Sequence, residues 1–109
     1  MKTVENFTLK TIAGVECTDI ELNEVDGVTT ENRVIFDLKR FLMAHIGTWA
    51  GKGVDAVMLW KLGVKVYDMG EALELEDAEF ELIKKVCKPE TPIYKSVLYG
   101  QVEEAFSKA

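Results

Sequence analysis

Histidine, cysteine and proline are scarce in this sequence, and each scarcity removes a class of chemistry. His45 is the only histidine, which excludes a site built from several imidazoles and leaves one candidate general base. The two cysteines, Cys17 and Cys87, lie far apart and belong to no Cys-x-x-Cys pair or Cys/His cluster. That spacing argues against a disulfide framework or a zinc site, and both read as small buried apolar residues in a reducing compartment. With two prolines and no low-complexity tract, nothing divides the chain, and 109 residues are enough for one hydrophobic core, so a single domain spanning 1–109 is expected. A long apolar run is also missing. The richest stretch, Val54 to Met69, is interrupted by Lys61, Lys65 and Asp68 and is too short to span a bilayer. Met1 to Leu9 alternates polar and apolar residues where a signal peptide would need an apolar block. No membrane association and a cytoplasmic location are the expectations.

What is present is an ordinary globular composition, 48% hydrophobic and 29% charged, with a net charge of −6 unevenly spread. Residues 1–32 hold two lysines against seven acids, residues 33–70 six basic residues against three acids, and residues 71–109 five against nine. An acidic chain lacks the general attraction to phosphate that drives nucleic-acid binding. Any such role would rest on Arg33, Lys39, Arg40, Lys61 and Lys65 alone, which are also what two solvated helix faces would show.

Periodicity predicts an α+β fold, mostly helical, with an N-terminal β-hairpin region (1–28) packed on about four helices (29–109). Phe7, Leu9 and Thr11 alternate with polar neighbours, Ala13-Gly14 supplies a turn, and Val15 and Cys17 alternate again, with Ile20 and Leu22 as an extension. Asp26-Gly27 marks the next turn. Val34, Leu38, Phe41 and His45 then recur at helical spacing, predicting a first helix from Glu31 to Ile46, capped by Thr29 or Thr30 and closed by Gly47. A second helix is expected over Val54 to Met69 with a wide apolar face and Gly70 beyond its end, its Gly63 allowing a neighbouring helix to come close. A third helix follows a Glu76 cap, with Leu75 and Phe80 at the spacing of a hydrophobic staple, and stops at Pro89. Thr91-Pro92 opens a fourth, running past Val97, Leu98, Val102 and Phe106.

No catalytic constellation emerges. Gly47 to Gly53 has three residues between the glycines of a would-be phosphate loop where four are needed, and Gly53 stands where a hydroxyl should hold magnesium. Gly51-Lys52-Gly53-Val54-Asp55-Ala56 spells a dinucleotide pattern outside any βαβ unit. Around Asp26-Gly27 a calcium loop would place Leu22 and Arg33 at its two essential acidic positions. His45 lies on the inward stripe of the first helix, where it is expected to bond a late helix carbonyl or stack on Trp49. The carboxylates from Glu71 to Glu81 read as dipole compensation and solubility. No catalytic residue, metal ligand or cofactor is therefore assigned. Trp49, Lys52, Trp60, Tyr67, Tyr94 and Tyr99 are the candidate interaction residues, the five aromatics because such side chains concentrate at interface hot spots.

The succession of Trp60-Lys61-Leu62-Gly63-Val64-Lys65-Val66-Tyr67-Asp68, Leu73-Glu74-Leu75-Glu76-Asp77-Ala78-Glu79, Leu82-Ile83-Lys84-Lys85 and Val97-Leu98-Tyr99-Gly100-Gln101-Val102 resembles small proteins encoded by tailed bacteriophages and prophages. The glycine-rich connection at 47–53 departs from that pattern, and no activity carries over. The resemblance implies a small phage-encoded protein acting by binding another macromolecule; with the missing catalytic groups, the expectation is a non-enzymatic interaction protein of phage or prophage origin that binds a host or phage protein, with self-association as a further expectation. The alternatives are a virion structural or assembly subunit and a nucleic-acid-associated regulator acting through the central basic segment.

Overall fold

In the computed structural model, which describes residues 1–49, 55–87 and 96–109, the chain opens with β1 (Lys2–Glu5). It continues through β2 (Thr18–Val25) and β3 (Val28–Ile35) to α1 (Leu38–Thr48), and then to α2 (Ala56–Tyr67), β4 (Ala72–Leu75), α3 (Asp77–Val86) and α4 (Ser96–Ser107). The fold is α+β, as the periodicity predicts. Two separate two-stranded antiparallel ribbons carry the strands, one pairing β1 with β4 and the other β2 with β3.

The N-terminal third differs from expectation in register. The anticipated turn at Ala13-Gly14 exists, with Gly14 at φ +82° and a single bridge between Lys10 and Glu16, but the long hairpin is the next one. Asp26 and Gly27 both take positive φ, 53° and 77°, the two-residue turn whose twist matches that of paired strands. It folds Val28–Ile35 back on Thr18–Val25, so residues 31–35, expected in the first helix, form strand. Val34, Ile35 and Phe36 suit a pleated strand, and their coincidence with helical spacing misled the period. The helix starts one residue after Asp37, whose Oδ1 accepts from the Arg40 amide at 3.0 Å, and not at Thr29 or Thr30. Gly47 lies within that helix and does not end it.

The other helices fall close to their predicted places. Asp55 caps α2, its Oδ1 accepting from the amides of Val57 and Met58 at 2.9 and 3.2 Å. The helix ends at Asp68, whose N–H bonds Val64 O, and Gly70 takes no left-handed cap conformation. Glu79 closes on the Glu76 amide at 2.9 Å at the start of α3, while Leu75 and Phe80 are both buried in the core. The terminating Pro89 and the Thr91-Pro92 start lie outside the described residues. Short β1 and β4, not anticipated, place Val4, Leu73 and Leu75 inward.

The core sits where α1, α2, α3 and the β1–β4 ribbon meet, around fully buried Leu9, Phe41, Leu42, Leu62, Leu75 and Ile83. Full burial of such side chains stabilises by about 1.5–3 kcal/mol each. Leu9 ties the long hairpin to this core. Its amide donates to Phe36 O at 3.0 Å and its carbonyl accepts from Cys17 N–H at 2.8 Å, so the chain threads between the two strand ends. Gly63 approaches α1 as expected: a methyl placed there would meet the Ile46 side chain at 3.2 Å.

Candidate functional site

Helix α2 is apolar nearly all round, yet only Leu62 and Val66 are buried in it. The surplus forms a second stripe. Ala56, Leu59, Trp60, Gly63, Val64 and Tyr67 recur at three- and four-residue steps and line a groove of about 490 Å³ against α1, whose Met43, Ile46 and Gly47 form the other wall. Trp60 is 68% exposed, Tyr67 65% and Val64 43%. Lys39 at the start of α1 holds its ammonium 5.4 Å from the Tyr67 ring centroid, a cation over an aromatic face at the end of the groove. Two of the expected interaction residues, Trp60 and Tyr67, are thus brought together.

The others go elsewhere. Tyr99, half-buried, donates its hydroxyl into the core at His45 Nε2, 2.6 Å away. His45 Nδ1 lies 2.8 Å from Phe41 O, which can only accept, so Nδ1 carries the proton and Nε2 is the acceptor for Tyr99. The imidazole stacks on Phe41 at 4.3 Å, and burial pushes its pKa below 6.5, partly opposed by the Phe41 carbonyl. His45 therefore bonds a carbonyl of its own helix, that of Phe41 in the first turn and not a late one, and its stacking partner is Phe41 in place of Trp49. Trp49 is half-buried at the end of α1, its indole N–H buried with no hydrogen-bond partner among the described residues. Lys52 and Tyr94 lie outside the described residues. The Met43, Ile46, Leu59 and Val64 lining was not singled out in the sequence, although an apolar face wider than one core contact requires was the signal available.

A larger, more polar hollow of about 650 Å³ lies between the N-terminal segment and α4. Gln101 reaches into it and bonds both backbone groups of Lys10, accepting from its N–H at 2.9 Å and donating to its carbonyl at 2.8 Å, while Glu104 is held by Lys108 at 2.8 Å. Gln101 thereby ties α4 to the N-terminal segment, while the Glu104–Lys108 pair lies within the C-terminal end itself. The Cys87 thiol is buried, which raises its pKa to about 12 and leaves it protonated at neutral pH; Cys17 is half-buried. Of the central basic residues, Arg40 faces Asp19 and Glu21 at 3.7 and 3.5 Å, and Lys65 bonds Glu79 at 2.8 Å, holding that carboxyl below its usual range. Among the described residues no three His, Cys, Asp or Glu side chains converge as a metal site, and no helix is long and apolar enough to cross a membrane.

In comparisons with family models, curated proteins and solved structures, none matched this chain. The class that fold and surface define is an α+β domain bearing an apolar groove between two helices.

Proposed function

We propose that this protein acts by binding another protein, without a chemical step of its own, and that the α1–α2 groove receives an amphipathic helix of that partner. The single observation that carries this reading is the exposed Trp60, Val64 and Tyr67 stripe on α2. A contiguous apolar surface left in water forfeits about 25 cal/mol per Å², and large patches of this kind mark interaction sites. The lining residues of α2 extend over three helical turns, a length that can face the i, i+4 and i+7 anchors of a helix laid in the groove. Lys39 and Lys61 border the stripe on a molecule otherwise acidic, so the incoming helix carries acidic residues beside its apolar face. On the resemblance to small tailed-phage proteins, that partner is a host or phage protein met in the cytoplasm.

The test is a photoreactive residue replacing Val64 in producing cells, with the same residue at exposed Glu74 as control. A discrete cross-linked protein at position 64, absent at position 74, is expected to present an amphipathic acidic helix. As a synthetic peptide that helix should bind the purified protein, and Trp60→Ala should weaken it about 10- to 100-fold by titration calorimetry. Identical cross-linking patterns at the two positions, or an affinity indifferent to Trp60, would rule the groove out.

A further inference from the structure

Apart from Asp19 and Val34, every residue of the β2–β3 hairpin is exposed. A two-stranded ribbon is marginal on its own in water, and an open strand edge is a template for another strand. Which edge is open follows from the register. Val25 and Val28 flank the two-residue turn and so exchange both backbone hydrogen bonds, and pairs then alternate along the ladder. The Phe36 amide bonding Cys17 O at 2.9 Å, beyond the last ladder pair, agrees with this phase. Thr29, Glu31, Arg33 and Ile35 therefore direct their backbone groups away from β2, and Thr18, Ile20, Leu22 and Glu24 away from β3.

The two edges differ. On β2 the outward Ile20 amide is already occupied by its neighbour's Asp19 Oδ1 at 2.8 Å, and the strand carries Asp19, Glu21 and Glu24 with no cation. Two such strands would set acids against acids. On β3 the four outward amides meet no acceptor among the described residues, and the charges are one Glu31 and one Arg33.

We propose that the outer edge of β3 pairs antiparallel with β3 of a second copy, about a twofold axis through Asn32, making one four-stranded sheet across a homodimer. Outward groups occur at alternate residues, so two identical antiparallel strands can pair only with the axis at a residue, not between two. Centring on Asn32 sets Glu31 against the partner's Arg33 and Arg33 against the partner's Glu31. Centring on Glu31 or Arg33 opposes like charges, and centring on Thr30 or Val34 leaves both charges unmatched and shortens the ladder. The Asn32 register also joins Thr29 to the partner's Ile35, for about eight new backbone hydrogen bonds over four narrow pairs. Ile20 and Leu22 lie across from Arg33 and Glu31 on the same face of the hairpin, so apolar side chains flank both ion pairs.

The test reads mass against concentration by sedimentation. The wild-type protein is expected to dimerise, and Glu31→Arg or Arg33→Glu alone to weaken the dimer about tenfold or more by opposing like charges twice. An equimolar mixture of the two variants should form a heterodimer, because each strand then meets its opposite charge at both positions; a misfolded variant could not restore it. Asn32→Cys, on the axis at a non-hydrogen-bonded pair about 4.5 Å apart, should oxidise to a covalent dimer, and Thr30→Cys should not. A wild-type protein that stays monomeric at millimolar concentration overturns the proposal and leaves the edge to another protein's strand or to none. Single variants that dimerise like wild type, or equal cross-linking at positions 30 and 32, overturn it as well.

Discussion

Burial of His45 between Phe41 and Tyr99 couples the stability of this protein to pH. Its folded pKa lies below 6.5, so between the two values the unfolded chain binds the proton that the folded chain refuses. Stability from this residue is complete above pH 6.5 and declines as pH falls toward the folded value. Glu79 acts in a separate window: Lys65 depresses its pKa below 4.5, so its contribution is kept above 4.5 and declines only at more acidic pH. Thermal midpoints should hold steady from pH 8 to 7 and drop between pH 6.5 and 5, whereas His45→Gln, less stable at neutral pH, should show a flatter profile over that interval. Equal losses in both proteins from pH 7 to 5 would mean that the imidazole is not the titrating group.

At the level of elements, the start of α1 holds the hairpin, the N-terminal segment and the helix in one arrangement. Asp37 Oδ1 caps the helix through the Arg40 amide, and its Oδ2 accepts from Asn6 Nδ2 at 3.0 Å. Asn6 Oδ1 in turn accepts from the Lys39 amide at 3.3 Å, so two side chains satisfy two of the otherwise unpaired first-turn donors. Removing this carboxylate leaves a cap amide and the Asn6 donor unmet. Asp37→Ala should cost about 1–2 kcal/mol in urea denaturation with an unchanged slope, and Asp37→Asn clearly less, since an amide oxygen can still cap. If both substitutions prove neutral, Leu9 threading alone secures the junction.

Across the whole molecule, a radius of gyration of 14.6 Å exceeds the roughly 13 Å typical of a chain this long. The excess follows from a hairpin that leaves the core instead of lying on it. Local stability should divide accordingly. In dilute solution, amide exchange is expected to be slowest in α1, α2 and α3 around Leu42, Leu62 and Ile83, and orders of magnitude faster in Val25 to Val28 and at the outward amides of β3. Protection of β3 equal to that of the helices at high dilution would show that the hairpin is covered within a single chain.

Much of this molecule was legible in the sequence because its signals are local. The Glu76 cap with its staple, the Gly63 approach, the inward histidine and the apolar excess of the second helix each depend on residues within a few positions of one another. The strand at 28–35 was not legible, since Val34, Leu38, Phe41 and His45 keep helical spacing across a real strand-to-helix boundary. Asp26-Gly27 overrode that spacing by adopting a turn that only paired strands satisfy. Nor could β1 and β4 be found: each is four residues long, and the partner that completes its hydrogen bonds lies some seventy positions away. Local chemistry by itself determined where the chain turns, how α3 begins and which residues are apolar enough to be candidates for burial. Only tertiary structure decided which apolar residues stayed outside, because burial depends on the core running out of room: Leu62 and Val66 fill it, and Trp60, Val64 and Tyr67 on the same helix are left facing the solvent.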